Sequence, residues 1–263
     1  MTLYYREAGS GPAVICLHAN ASTSGQWRGL LDLLAPDWHA IAPDTLGAGR
    51  SPAWPAQGDV ALADEVALLQ PLLATLPSRF HLVGHSYGAA IALKIALSHP
   101  DRVAGLVLYE PTLFALVLQQ SPDPETVEGI IGAVRRAGAA LDRGDILGAG
   151  TEFIDYWMGA GAFAAMPAAR QSPVAESVRN VRGWAHALTT EPATLADIAG
   201  LNMPISVLLG AETTASARGV VRLLAATLPQ LQLVELPGVG HMAPVTHPEF
   251  VNPVIAAQLA PMR

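Results

Sequence analysis

Ser86 stands in Gly84-His85-Ser86-Tyr87-Gly88, a G-x-S-x-G pattern. An apolar run, His81-Leu-Val83, precedes it, and a helix-forming run, Gly88 to Ser98, follows it. That context predicts a sharp turn from strand into helix with the serine at its apex. Such a turn holds the apex residue in strained backbone geometry, and side chains two residues to either side would clash there. Glycine occupies both positions, and Ala89 keeps the next one small. The serine oxygen would then stand above a sheet, at the start of a helix whose dipole favours negative charge. A serine hydroxyl is a poor nucleophile until a base takes its proton. Of the eight histidines, His241 is the best placed, in the glycine-flanked loop Leu236-Pro-Gly-Val-Gly-His-Met242 after the last apolar run. His85 adjoins the serine but should point the other way along the turn. His39 and His81 read as strand-edge residues, His99 ends a helix before Pro100, His186 lies in a helical stretch and His247 precedes Pro248. His18 follows the first buried run and is taken up with the loop it opens. No histidine pair has helix-spaced ligand geometry with a carboxylate, so no metal site is expected.

The elements that must position these residues are legible as runs. Ala13–Leu17, His39–Ala42, His81–Val83, Gly105–Tyr109, Ile205–Leu209 and Leu231–Val234 are short, apolar and bounded by turn residues. Runs of that length without strict alternation suit strands buried on both faces. Leu3–Arg6 alternates and suits an edge strand. Helix-period segments lie between, including Ala61–Leu76 with a kink or break expected at Pro71, Gly88–Ser98 and Val220–Leu228. This alternation predicts an α/β protein with a mostly parallel sheet flanked by helices. From 112 to 200 the rhythm fails, and helices are expected at Pro124–Leu141, Leu147–Met158 and Pro173–Leu188. The organisation read from this is a core of residues 1–111 and 201–263 with an inserted helical cap over 112–200.

Three segments together resemble the α/β-hydrolase family: Leu17-His-Ala-Asn20 after a strand, Asp44-Thr-Leu-Gly-Ala-Gly-Arg-Ser51, and the Ser86 turn followed far downstream by Gly240-His241. The resemblance covers essentially the whole chain. It implies the α/β-hydrolase fold, a catalytic triad with Ser86 as nucleophile and His241 as base, and an oxyanion hole made by the backbone N–H groups of Tyr87 and Asn20. It implies no cofactor. In most relatives the third member is an aspartate in the loop after the strand that follows the cap, here Gly210-Ala-Glu-Thr-Thr214, where Thr213 occupies that position. Three readings stay open. The favoured one is that Glu110, at the end of the Gly105–Tyr109 strand, supplies the acid, similar to a group of haloalkane dehalogenases. Alternatively Glu212 substitutes from one residue earlier, or Ser86 and His241 work as a dyad. The resemblance to the dehalogenases does not extend to their reaction. Their nucleophile is an aspartate, and a serine alkyl ether could not be hydrolysed to release the enzyme.

Composition narrows the partners. Of 263 residues, 51% are hydrophobic and 14% charged, enough to bury a large core. Lys and Arg number 15 against 22 Asp and Glu, a formal charge of −7. With no basic run, neither nucleic acid nor an anionic membrane is expected as a partner. The single cysteine, Cys16, excludes an internal disulfide. The N-terminal stretch from Met1 lacks a basic start followed by an apolar run, and Ala104–Leu118 is interrupted by Glu110-Pro111, so a cytoplasmic protein is expected. The oligomeric state stays open, a homodimer among the options. The cap offers Phe114, Leu118, Phe153, Trp157, Met158, Phe163, Met166 and Trp184 as walls for a substrate. It carries no cluster of cations, so the expected substrate is a small, largely apolar, uncharged ester or lactone. A carbon–carbon bond hydrolase on the same scaffold and a non-catalytic small-molecule receptor are the rival readings.

Overall fold

The computed structural model describes residues 2–54, 59–120 and 123–263. Residues 55–58 of the expected core, 121–122 of the expected cap and Met1 lie outside that set. Seven strands form one sheet: β1 (Tyr5–Ala8), β2 (Ala13–Leu17), β3 (His39–Pro43), β4 (Phe80–His85), β5 (Val103–Tyr109), β6 (Ile205–Gly210) and β7 (Gln232–Leu236). Their spatial order is β1-β3-β2-β4-β5-β6-β7. Only β1 is antiparallel, pairing with β3 in the register Tyr5↔Pro43.

After the edge strand β1, the chain starts the parallel part of the sheet at β2, moves outward to β3, then returns past β2 to β4. At such a reversal the crossovers leave in opposite directions, which opens a crevice at the carboxyl ends of the two central strands. The residues after β2 and after β4 are His18 and Ser86.

Side chains alternate across each central strand, and both faces are covered. Ile15 and Leu17 join the same apolar cluster as Leu82, Leu106, Leu108 and Val207. Val14 and Cys16 point the opposite way, into a cluster with Val83, Val107 and Leu208. This two-sided burial is why the strands read as continuous apolar runs rather than alternating ones. It also pushes the Cys16 thiol up, which keeps it protonated and unreactive.

Four helices of the core matter for the site: α1 (Arg28–Leu34), α2 (Leu62–Thr75), α3 (Tyr87–Ser98) and, in the carboxyl-terminal part, a later helix at Ala215–Thr227. Helix α2 runs through Pro71 without the expected break. The proline removes one N–H, and Ala67 loses its acceptor role. Both residues face solvent, so water can satisfy that carbonyl. Leu69, Leu72 and Leu73 are buried and hold the turn on either side.

Between β5 and β6 come α4 (Phe114–Leu118), α5 (Pro124–Asp142), α6 (Ile146–Met158), α7 (Ala162–Ala165), α8 (Ala168–Ser177), α9 (Val181–Thr189) and α10 (Leu195–Ala199). No strand interrupts them among the described residues. The ends follow local chemistry. The Asp123 carboxylate accepts the Glu125 N–H, with Pro124 as the first residue of α5. Asp145 caps α6 in the same way through the Gly148 N–H. The single helix expected over 173–188 is instead α8 and α9, separated by a tight turn at Val178–Asn180. Buried Val178 and Val181 seat that turn against the rest of the molecule. The helix at Ala215–Thr227 (α11) follows β6, and α12 (Ala243–Thr246) and α13 (Pro248–Leu259) close the chain.

Candidate active site

The segments at the carboxyl ends of five strands, β2, β4, β5, β6 and β7, meet at one point. Ser86 ends β4 with φ 55° and ψ −115°, an unfavourable backbone for a residue with a side chain. Its N–H donates to the Tyr109 carbonyl at 3.0 Å, which fixes the turn to the next strand. A Cβ on Gly84 would meet the Cα of Ala89 at 2.5 Å, and one on Gly88 would strike the Leu17 carbonyl. Both glycines are therefore required by close backbone approach, as the sequence pattern predicts.

The His241 ring lies beside the serine. Its Nε2 is 2.8 Å from Ser86 Oγ, and its Nδ1 is 2.6 Å from Glu110 Oε2. A carboxylate can only accept, so Nδ1 carries the hydrogen and Nε2 is free to accept from the serine hydroxyl. All three side chains are buried.

Glu110 sits at the end of β5 with φ 45°, and its N–H donates to the Leu208 carbonyl. The parallel pairing Tyr109↔Leu208 brings it level with the end of β6. There the Gly210 N–H donates to Oε1 at 2.7 Å and the Thr213 hydroxyl donates to Oε2 at 2.5 Å. A buried carboxylate is costly unless its lone pairs are filled, and here three donors fill them. Thr213, which occupies the position where an aspartate was expected, thus serves the glutamate. Glu212 is not brought to the site. It is exposed, and its backbone N–H is turned to the Val239 carbonyl. The reading without any acid leaves unused the carboxylate that His241 meets here.

The N–H groups of Tyr87, first residue of α3, and of Asn20 have no acceptor among the described residues. Both residues lie where the turn after β4 and the loop after β2 meet. The neighbouring Ala19 N–H is already used by Gln26 Oε1 at 3.2 Å.

Sequence reasoning missed the residues that hold this geometry. Gln26 also donates from Nε2 to His85 Nδ1 at 3.1 Å, and His85 Nε2 donates to the His241 carbonyl at 2.8 Å. Tyr109 donates its hydroxyl to the adjacent Gly240 carbonyl at 2.8 Å. A chain of hydrogen bonds therefore joins the loop after β2 to the loop carrying His241. Burial, and then the nearby His241 ring, push His85 well below the ordinary histidine range, so it stays neutral and keeps these two roles. The position of His85 beside the serine was the available signal for it. Gln26 and Tyr109 act on partners 59 and 131 residues away and carry no local signal.

Glu65, buried on α2, accepts from the Tyr87 hydroxyl and from the Leu46 N–H. Burial dominates those two bonds and pushes its carboxyl up from 4.5 to about 7. The folded state then binds more protons than the unfolded one between those values, so stability falls as pH rises through the window. The loss is on the order of 3 kcal/mol. Glu65→Gln is expected to flatten the urea-unfolding stability between pH 5 and pH 7, whereas an unchanged slope in the variant would refute this assignment.

A cavity of about 430 Å³ opens above Ser86 and His241. Of the apolar side chains expected to line it, Phe114, Leu118, Phe153, Trp157 and Trp184 do. Met158, Phe163 and Met166 do not; they pack within the helical layer itself, Phe163 fully buried there. Arg135 and His241 are the ionisable side chains among the described residues of its wall, and Arg135 is exposed at the mouth.

Comparison with known proteins agrees with the fold. A family model described as "alpha/beta hydrolase fold" matches residues 12–248. A haloalkane dehalogenase of Mesorhizobium japonicum is 39% identical over 111 residues, 41% of this chain and 35% of that protein. Similar partial matches recur, so the chain aligns with only about a third of the length of these curated relatives. Among solved structures, a thermophilic esterase from Thermogutta terrifontis superposes with a TM-score of 0.76 at 24% identity, covering 99% of this chain and 93% of that one. An enol-lactonase from Burkholderia xenovorans gives 0.74 at 19% identity, covering 98% and 96%. At those identities the likeness concerns the fold. Among the described residues, no helix is long and apolar enough to cross a membrane.

Proposed function

The chain belongs to the α/β-hydrolase family, and from that premise we propose that it is a serine hydrolase cleaving a small, largely apolar, uncharged carboxylic ester or lactone. The carrying observation is the unbroken line from Glu110 through His241 to Ser86, at 2.6 and 2.8 Å. Ser86 Oγ attacks the acyl carbon while its proton passes to His241 Nε2. The N–H groups of Tyr87 and Asn20 receive the developing oxyanion, each such donor contributing about 3 kcal/mol. Glu110 holds the imidazole in the required tautomer and stabilises the imidazolium. The proton then moves from Nε2 to the leaving oxygen. Water, activated by the same ring, hydrolyses the acyl-enzyme. Dehalogenation does not fit, because an alkyl ether on Ser86 would be a dead end.

The apolar wall supports the choice of acyl group. Intact-mass analysis after exposure to a fluorophosphonate probe should show one adduct on the wild-type chain. In a panel of p-nitrophenyl esters, butyrate should be cleaved at least about tenfold faster than a hemisuccinate, whose terminal carboxylate would have to leave water for an apolar wall. An unlabelled, folded wild type that is stabilised by small apolar ligands would instead identify a receptor, and equal rates on both esters would overturn the substrate class.

A further inference from the structure

We propose that Trp157, supplied by α6 of the cap, is a positioning residue for His241, holding the imidazole in register and stabilising it once it takes the serine proton. The indole lies face to face with the His241 ring, centroids 4.0 Å apart and planes 24° apart. The other cavity-wall aromatics named above make no such contact with the triad. Trp157 is itself braced. Tyr156 and Phe153 meet it edge-on at 4.8 and 6.4 Å. The Tyr156 hydroxyl is 2.7 Å from Ser216 Oγ, which ties this end of α6 to α11 of the core. Within the last turn of α6, the Asp155 carboxylate accepts the N–H groups of Gly161 and Phe163, which follow the helix. The indole is thus fixed from both core and cap, as a positioning contact requires.

The charge balance around His241 gives the contact its chemical weight. Glu110 occupies Nδ1 and Ser86 occupies Nε2. His85 flanks the ring at 5.3 Å, and burial keeps it neutral. Arg135 is at the cavity mouth, and Glu212, on the neighbouring loop, is exposed. An aromatic face against a desolvated cation is attractive, because the ring quadrupole is negative on its face. The free imidazole gains little from that quadrupole. The stabilisation therefore applies to the protonated state through which both chemical steps pass, and it is lost if the cap shifts.

This inference rests on the serine-hydrolase reading, and the test separates the two. Trp157→Leu keeps water out but removes the aromatic face, and Trp157→Phe keeps a smaller face. With p-nitrophenyl acetate, too short to need the cavity wall, Trp157→Leu should lower kcat and the fluorophosphonate labelling rate about tenfold at pH 7. The acid limb of its kcat/KM profile should move down by about half a pH unit, and Trp157→Phe should recover most of both effects. In the unaltered cap, tryptophan emission of wild type minus that of His241→Asn should titrate along the same acid limb. A rise in KM for longer esters alone, with labelling rate and acid limb unchanged, would make Trp157 a wall residue and overturn the proposal. So would a flat emission difference, even if the leucine variant fails to fold. Absence of wild-type labelling would defeat the hydrolase reading, while the emission titration would still report on the stacking.

Discussion

Ser86→Ala is expected to lower kcat/KM for p-nitrophenyl butyrate by at least about 10⁴-fold and to abolish fluorophosphonate labelling. The loss follows from chemistry, because among the described residues no other hydroxyl is placed against His241 Nε2. It should not follow from unfolding. The Ser86 N–H still reaches the Tyr109 carbonyl, and the serine oxygen makes no helix-capping bond. Alanine carries the same Cβ as serine, so the strain at φ 55° is unchanged. Stability by thermal melting should therefore stay within about 1 kcal/mol of wild type. Residual turnover within tenfold of wild type would show that another group attacks, and the assignment of Ser86 would fail.

The second large effect concerns the acid. Glu110→Gln is nearly isosteric, and its amide oxygen can still accept the Gly210 N–H. Its NH₂ group then faces His241 Nδ1 and the Thr213 hydroxyl, both of which donate to the native carboxylate. Two donors cannot share that contact. The imidazole is driven to the other tautomer, with its hydrogen on Nε2, where it cannot accept from Ser86. A loss of about 10³- to 10⁴-fold in kcat is expected, with KM little changed. Glu212→Gln should leave kcat within about twofold, since an exposed carboxylate turned from the site contributes little. Thr213→Asp placed on the Glu110→Gln background should recover at least tenfold, because it returns a carboxylate within reach of Nδ1. Equal losses in the Glu110 and Glu212 variants would mean that the loop after β6 supplies charge to the base after all.

Some of this was written locally in the chain. The turn bearing Ser86 is marked by its glycines: a Cβ on Gly84 would meet Ala89 of α3, and one on Gly88 the Leu17 carbonyl. The central strands were legible because burial on both faces makes them apolar throughout, whereas β7, read from Leu231–Val234 as buried on both faces, is largely exposed as an edge strand; Gly240-His241 stood out through its flanking glycines. Within the helical insertion, periodicity located α5 and α6, but it ran α8 and α9 together, since apolar spacing does not register a turn that keeps Val178 and Val181 on the same buried side.

The proposed acid was only partly legible, for a physical reason. Glu110 and Glu212 are 102 residues apart, and each follows a strand beside the other, so type and position favoured Glu110 but left Glu212 open as the alternative. What separated them was strand register: Tyr109↔Leu208 sets Glu110 against the Gly210 N–H, while the loop beyond turns Glu212 to solvent. The same holds for Trp157. Its spacing on α6 marked it as apolar, but only the way the helical layer closes over the sheet laid its face on His241. Sequence by itself singled out Ser86, His241 and the layers that carry them, because glycine spacing and apolar runs show in the local composition. The contacts of the proposed acid, the Gln26–His85 bracing and the stacked indole join segments distant in sequence, so only the tertiary structure shows them.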